Sequence, residues 1–163
     1  MAVAVFNTRS VQGEVTFTAE RSGVRVRATF TKLPAEHGFH IHKAGDLRGD
    51  RLRQQSPSYA GKPEGCKLAC DHFHKGPPCN HGGPPGSKKT SERHTGDLGN
   101  VREGKSYSFF LKDLDVEELW GRSVIIHADP DDLGLGDKPD SLTTGHSGKR
   151  IACAIIGRST GCT

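Results

Sequence analysis

Long hydrophobic runs are missing from this chain, and large apolar side chains are scarce throughout it. Of its 163 residues, 33% are apolar and 6% aromatic, with a single Trp and a single Met. No stretch approaches the roughly 20 apolar residues that a membrane-spanning helix requires, so no membrane span is expected. The N-terminal run Met1–Phe6 turns polar at Asn7 and has no basic segment ahead of it. It is too short for the core of a secretory signal, and a cytoplasmic location is expected. Coiled coils and collagen-like repeats are excluded by composition as well. The apolar deficit does not mean disorder: 21 glycines bring the apolar-plus-glycine share to the lower edge of the globular range. One domain, residues 1–163, is the default at this length, with enough chain to bury a core.

What the chain does contain is unevenly spread. Lys and Arg number 23 against 19 Asp and Glu, a net charge of +4. Residues 43–94 carry 10 basic and 5 acidic groups, whereas residues 95–163 carry 8 and 11. The charges of the basic middle alternate in sign, and its only aromatics are Tyr59 and Phe73. Base stacking needs aromatic platforms in a basic groove, so this segment reads as a solvated loop with no nucleic-acid partner. It also holds 6 of the 9 prolines, 8 glycines, three of the five cysteines, and His72, His74, His81 and His94. Clusters such as Gly82-Gly-Pro-Pro-Gly86 do not fit inside a helix or a central strand. A long structureless stretch inside a compact domain is normally functional or disordered, and metal or disulfide are the staples available to order it. Five cysteines are an odd number, so at least one thiol is free, metal-bound or paired with another chain. In an intracellular protein a stable disulfide needs an explanation.

Either side of this loop the sequence alternates with the period of a strand. Val15, Phe17 and Ala19 alternate with polar residues, as do Val24, Val26, Ala28 and Phe30, with Arg21-Ser-Gly23 as the turn between them. Phe39 and Ile41 alternate with His40 and His42, and Tyr107, Phe109 and Leu111 repeat the pattern. Ser123–His127 and Ile151–Gly157 are short β-branched runs, and only Val116–Leu119 and Pro130–Leu133 suit a helical turn. Seven or eight short strands with turn signals indicate an all-β sandwich or Greek-key barrel.

The histidines carry the chemistry. On a strand, residues i and i+2 share a face, so His40 and His42 can meet one ion while Phe39 and Ile41 face the core. Two surface histidines on an edge strand would produce the same spacing. His72, His81, His94 and Asp97 offer three imidazoles and a carboxylate, a set that suits tetrahedral zinc and would organise the loop. Exposed loop histidines are the alternative, and His74 and His37 fit it. A sulfur site built from Cys66-x3-Cys70 and Cys79-x-His81 competes with both. Cys153, in an apolar strand, offers a partner to one loop cysteine. His127 ends an apolar strand beside an Asp-rich turn, where a carboxylate can orient an imidazole through its other N–H.

Taken in order, Gly38-Phe-His-Ile-His42, Gly45-Asp46, His72-Phe73, His81-Gly-Gly-Pro84, Glu92-Arg-His94, Gly96-Asp-Leu-Gly-Asn100, Val124-Ile-Ile-His127, Asp131-Asp-Leu-Gly134 and Gly148-Lys-Arg-Ile-Ala-Cys-Ala-Ile-Ile-Gly157 resemble a copper/zinc superoxide dismutase over nearly the whole chain. The resemblance implies an eight-stranded Greek-key β-barrel, an immunoglobulin-like sandwich with long metal-binding and electrostatic loops. It implies disproportionation of superoxide anion to dioxygen and hydrogen peroxide. It assigns copper to His40, His42, His72 and His127, and zinc to His72, His81, His94 and Asp97, with His72 as the bridge. Asp131 matches a buried carboxylate that links ligands of the two metals. Cys66 and Cys153 match the family's disulfide, and Arg150 the arginine that holds the anionic substrate.

The departures are specific. Leu47–Gly65 is an insertion that enlarges the disulfide and zinc loop at about 43–97, and the zinc loop itself is longer than usual. Such a loop is similar to that of enzymes carried by giant DNA viruses, which would place the protein in host cytoplasm. The insertion and Arg158 fall where the family forms its homodimer, which weakens that expectation. Cys70, Cys79 and Cys162 are extra to the pattern; Cys70 and Cys79 either form a second disulfide or are free thiols. Thr143 replaces a frequently basic residue of the electrostatic loop, so weaker long-range attraction of superoxide is expected. An inactive or copper-delivery relative and a structural zinc module are the competing functions. A copper chaperone is compatible with the resemblance, but no residue indicates one.

Overall fold

A computed structural model of the chain describes residues 1–48 and 66–162. Among the described residues nine strands form: β1 Ala2–Asn7, β2 Gln12–Glu20, β3 Gly23–Lys32, β4 His37–His42, β5 Asp97–Val101, β6 Ser106–Lys112, β7 Ser123–His127, β8 Arg150–Ile155 and β9 Gly157–Arg158. They build two sheets in the orders β6-β3-β2-β1-β9 and β5-β4-β7-β8, and every pairing is antiparallel. Only Ile156 separates β8 from β9, so one continuous run leaves the second sheet and joins the first. Counted as one strand it gives the eight expected of the Greek-key sandwich.

The period of two places the core. Phe17 and Val26 are paired across β2 and β3 and have no exposed surface, while the intervening Thr16 and Arg27 face outward. Phe6, Phe30, Phe39 and Phe109 form a chain of ring contacts, with centroids 5.8–6.3 Å apart, that ties the first sheet to the second. Ala19 alternates correctly but lies exposed at the end of β2. The run Ala2–Phe6, considered above only as a signal, is β1, with Ala2, Ala4 and Phe6 buried.

Of the two expected helical turns, one forms. Val116–Leu119 forms the expected turn, a 3₁₀ turn on which Asp115 N–H donates to Glu118 Oε2 at 2.9 Å. Pro130–Leu133 does not. There the carboxylates of Asp131 and Asp132 accept the N–H groups of Leu133 (2.7 Å) and Gly134 (2.9 Å), which turns Leu133 to φ 63° and competes with helix. The short helix lies instead at Ser141–Thr144. No helix among the described residues is long and apolar enough to cross a membrane. Of the Leu47–Gly65 insertion, residues 49–65 lie outside the described residues.

Candidate metal centre

β4 runs between β5 and β7, so the edge-strand reading of His40 and His42 does not hold. Both imidazoles are buried on the face opposite Phe39 and Ile41. The loop that carries His72 is stitched to the same strand. His72 forms a β-bridge with His42, Phe73 N–H donates to Ile41 O (2.8 Å), and Lys43 N–H donates to Asp71 O (3.0 Å). Asp97 opens β5 opposite His40. His127 ends β7 just beyond a register shift, the kind of irregularity that re-aims a side chain, and is paired across the sheet with Arg150.

The hydrogen bonds fix which nitrogen each ring presents. His40 Nε2–H donates to Asp131 Oδ2 (2.5 Å), His42 Nδ1–H to Cys70 O (2.8 Å), and His127 Nδ1–H to Gly148 O (3.2 Å). His81 Nε2–H donates to Asp131 Oδ1 (2.8 Å), and His72 Nδ1–H to Asp97 Oδ1 (2.8 Å). These partners only accept, so in each neutral ring the opposite nitrogen is left with a bare lone pair. His81, held protonated in the metal-free protein, instead turns Nδ1 toward Asp97 Oδ1 at 3.0 Å, as an ion pair without hydrogen-bond alignment. His40 Nδ1, His42 Nε2, His72 Nε2, His81 Nδ1 and His127 Nε2 are buried without a hydrogen-bond partner. Among the described residues no other buried side-chain nitrogen or oxygen is orphaned. An unpaired buried polar atom costs about 1–3 kcal/mol; five at one place mark a ligand-binding site.

The atoms gather into two overlapping sets. His40, His42, His72 and His127 bring one ligand atom each within 4.8 Å of one another, and so do His72, His81, His94 and Asp97. His72 belongs to both. Burial lowers the basicity of His40, His42 and His72 and brings His127 to about 4, helped by the Arg150 charge near His42 and His127. Four neutral imidazoles are the protonation state that metal binding requires. A set made only of imidazole suits copper, and one of imidazoles with a carboxylate suits zinc, so the donors fit both ions.

Asp131 couples the two sets by accepting from His40 and His81. Asn100 pins it from behind: Asn100 Nδ2 donates to Asp131 O (2.9 Å), and Asp131 N–H donates to Asn100 Oδ1 (2.7 Å). Gly145, at φ 69°, lies so close that a Cβ there would overlap Asp131 Oδ1 and His81 Nε2. Neither support was legible as such in the sequence, although Asn100 stands in a quoted motif.

The remaining cysteines and histidines resolve. Cys66 and Cys153 form a disulfide, and Cys70, Cys79 and Cys162 are free thiols, which settles the odd count. The sulfur-site reading fails, because Cys66 is in the disulfide and no cysteine joins a metal-type cluster among the described residues. The second disulfide is not formed either: Cys79 Sγ lies 3.4 Å from Arg93 O and 3.5 Å from His74 Nε2, whereas Cys70 is exposed. His74 and His37 stand outside both sets; His37 Nδ1–H donates to His127 O (2.7 Å).

A cleft of about 860 Å³ opens over His42, His72 and His127, with Arg150 on its wall. Arg150 donates to Cys66 O (2.7 Å) and Cys70 O (2.6 Å), so the disulfide loop fixes its guanidinium. The helix Ser141–Thr144 contributes Leu142, Thr143 and Thr144 but no base. Lys43 and Lys149 line the cleft as well, cations that the sequence reading did not place there.

His81 sets a pH dependence for the metal-free protein. Burial disfavours its charged form, but the hydrogen bond to Asp131 and the nearby Asp97 carboxylate outweigh that and push it up to about 9. A raised basicity stabilises the fold fully below the unfolded value of about 6.5, and that stability is lost as pH rises through about 9. The difference in Tm between metal-free protein and its His81→Gln variant should therefore shrink from pH 6.5 to 9. A difference that stays constant across this window would rule the His81 charge out.

Comparison with known proteins agrees with this geometry. The family described as copper/zinc superoxide dismutase (SODC) matches residues 11–156. A Cu-Zn superoxide dismutase of Paramecium bursaria Chlorella virus 1 is 40% identical over 156 residues, covering 90% of this chain and 73% of that protein. That of Yarrowia lipolytica is 38% identical over 168 residues, covering 96% of each. A copper chaperone for superoxide dismutase from Mus musculus is 40% identical over 158 residues, covering 93% of this chain but only 50% of the chaperone. A crystal structure of the clock protein EA4 superposes with a TM-score of 0.74 at 36% identity, covering 96% of this chain and 92% of that one. By the span of that family match and its overlap with the histidine sets, the chain belongs to the copper/zinc superoxide dismutase family.

Proposed function

We propose that this protein is a cytoplasmic superoxide dismutase, a single domain over residues 1–163 with an enlarged ligand loop at about 43–97. The observation that carries the reading is the convergence of five orphaned, buried ring nitrogens on two sets that share His72. Copper would be held by His40, His42, His72 and His127, and zinc by His72, His81, His94 and Asp97. Bound there, copper supplies a one-electron couple and zinc a fixed charge without redox change. Two superoxide anions and two protons give dioxygen and hydrogen peroxide. His72 Nε2 faces the copper set with its Nδ1 turned to Asp97, so it can hold a proton at Nε2 in one half of the cycle and release it in the other. Asp131 keeps His40 and His81 in the tautomers that present Nδ1. Arg150, always cationic and forked, orients the anion above the histidines.

Metal content measured with superoxide-dismutation activity tests this. One copper and one zinc per chain with activity is the expected result; zinc alone, with no activity after copper loading, would sink it. The likeness to the mouse chaperone favours a second reading, a copper-donating relative. That reading expects copper to pass from the loaded protein to a metal-free acceptor dismutase, with little turnover of its own. A homodimer belongs to the first reading too: Val5, Trp120 and Ile155 are exposed apolar groups, although Arg158 covers Trp120 with its guanidinium 5.4 Å from the ring centroid. Sedimentation equilibrium decides the assembly.

Arg150→Ala should lower turnover by about 10–100-fold through lost orientation of the anion, and weaken azide binding, with both metals retained. Unchanged azide affinity would remove Arg150 from the substrate-holding role.

A further inference from the structure

Arg93 has an unusual set of partners for a largely enclosed guanidinium. Its Nε donates to Gly83 O (3.2 Å), and its Nη2 to Thr95 O (3.0 Å) and Asp97 O (2.8 Å). Every hydrogen bond of the group goes to a backbone carbonyl, and no ion pair to a carboxylate is formed among the described residues. Burial of the cation depresses its basicity, the cost of withdrawing it from water.

The three carbonyls are not scattered. Gly83 lies two residues beyond His81, Thr95 adjoins His94, and Asp97 is itself a member of the four-ligand set. His81 and His94 sit on two arms of one loop, joined by the excursion from Pro84 to Ser91, which contributes no ligand. Those arms already touch: Gly82 N–H (3.0 Å) and His94 N–H (2.7 Å) both donate to Asp97 Oδ2, and Gly83 N–H donates to Thr90 Oγ1 (3.0 Å). A Cβ on Gly82 would run into Glu92 O, so the arms pass at backbone distance.

We propose that Arg93 is a positioning residue of the four-ligand half-site, a clasp that holds the His81 arm against the His94–Asp97 arm before any metal arrives. The proposal rests on the metal-centre reading above and adds which residue preorganises it. The excursion leaves the two arms free to separate, and closing it costs chain entropy. Only a planar group with several diverging donors can reach three carbonyls on two arms at once; a lysine ammonium offers a point charge on a flexible stem. Arg93 hydrogen-bonds no member of the copper-type set, so its influence should fall chiefly on the other half of the centre.

The test is zinc affinity of Arg93→Gln and Arg93→Lys, measured by chelator competition on the full chain, with amide hydrogen exchange of the metal-free proteins beside it. Loss of an outer-shell partner typically weakens metal binding about 10–100-fold. The expected result is that loss for Arg93→Gln and a smaller one for Arg93→Lys. Copper binding at the other set should be unchanged, and exchange at Gly82 and His94 N–H faster in both metal-free variants. Zinc affinity within twofold of the parent in both variants, with unchanged exchange at those amides, would overturn the clasp. If Arg93→Gln fails to fold, Arg93→Lys alone decides by the same two readouts. A parent chain that binds no zinc would defeat the metal-centre reading instead, and the exchange data would still decide the clasp.

Discussion

Replacing His127 with alanine should abolish copper-dependent turnover while leaving zinc in place. The imidazole stands at the end of β7, held by Gly148 O through Nδ1 and presenting an orphaned Nε2. Burial keeps the ring neutral, at about 4, so at pH 7 its lone pair is open to a metal without loss of a proton. Removing it takes one of four nitrogens from the all-imidazole set and touches none of the zinc-type set. Outer-shell changes alone cost about 10–100-fold in metal affinity, so direct loss of a donor should cost more than about 100-fold. Copper content and dismutation should both collapse, while zinc stoichiometry and the zinc-dependent rise in Tm persist. The metal-free variant should lose less stability than a core truncation usually does, because an unpaired buried nitrogen leaves with the ring. Unchanged copper content and turnover would remove His127 from the site.

Part of this centre was legible because the candidate ligands His40, His42 and His127 sit in strands whose period can be counted. His40 and His42 share a face by alternation, and the structure adds that β4 is interior, so both are buried rather than displayed at an edge. His127 and Arg150 are 23 residues apart in sequence, and nothing local announces that β7 and β8 make them cross-strand partners. Asp97 was legible as a ligand type but not as the first residue of a strand. β5 is five residues long, contains Gly99 at φ 76°, and has no alternation to read. The ordering of the loop was the least legible part. It depends on long-range pairings such as His42 with His72 and on an arginine that answers to carbonyls, and carbonyls carry no sequence signature. The misplaced helical turn has the same origin: carboxylates of the Asp-rich segment bond to nearby N–H groups, and helical propensity does not register that competition.

Removing the disulfide should be the most destabilising change outside the ligands, and it should also slow turnover. Cys66 and Cys153 lie 87 residues apart in sequence, and chain-entropy arguments assign a bridge of that span about 4–5 kcal/mol. For a chain of this size that corresponds to a fall in Tm of roughly 10–15 °C, measured on metal-free protein with both cysteines changed to alanine. The bridge joins β8 to the loop that ends in Cys70, and Cys66 is almost fully buried beside Ala69 and Ile125. That enclosure limits the access of external thiols to the bridge. The same loop supplies Cys66 O and Cys70 O to Arg150, and Cys70 O also accepts from His42. Cutting the bridge therefore frees the guanidinium as well as the chain. Turnover of the metal-loaded double variant should fall toward that of Arg150→Ala. Combining the two changes should cost little more than Arg150→Ala alone, because both act through one group. Fully additive losses in that cycle would separate the disulfide from Arg150 and leave it a purely stabilising bond.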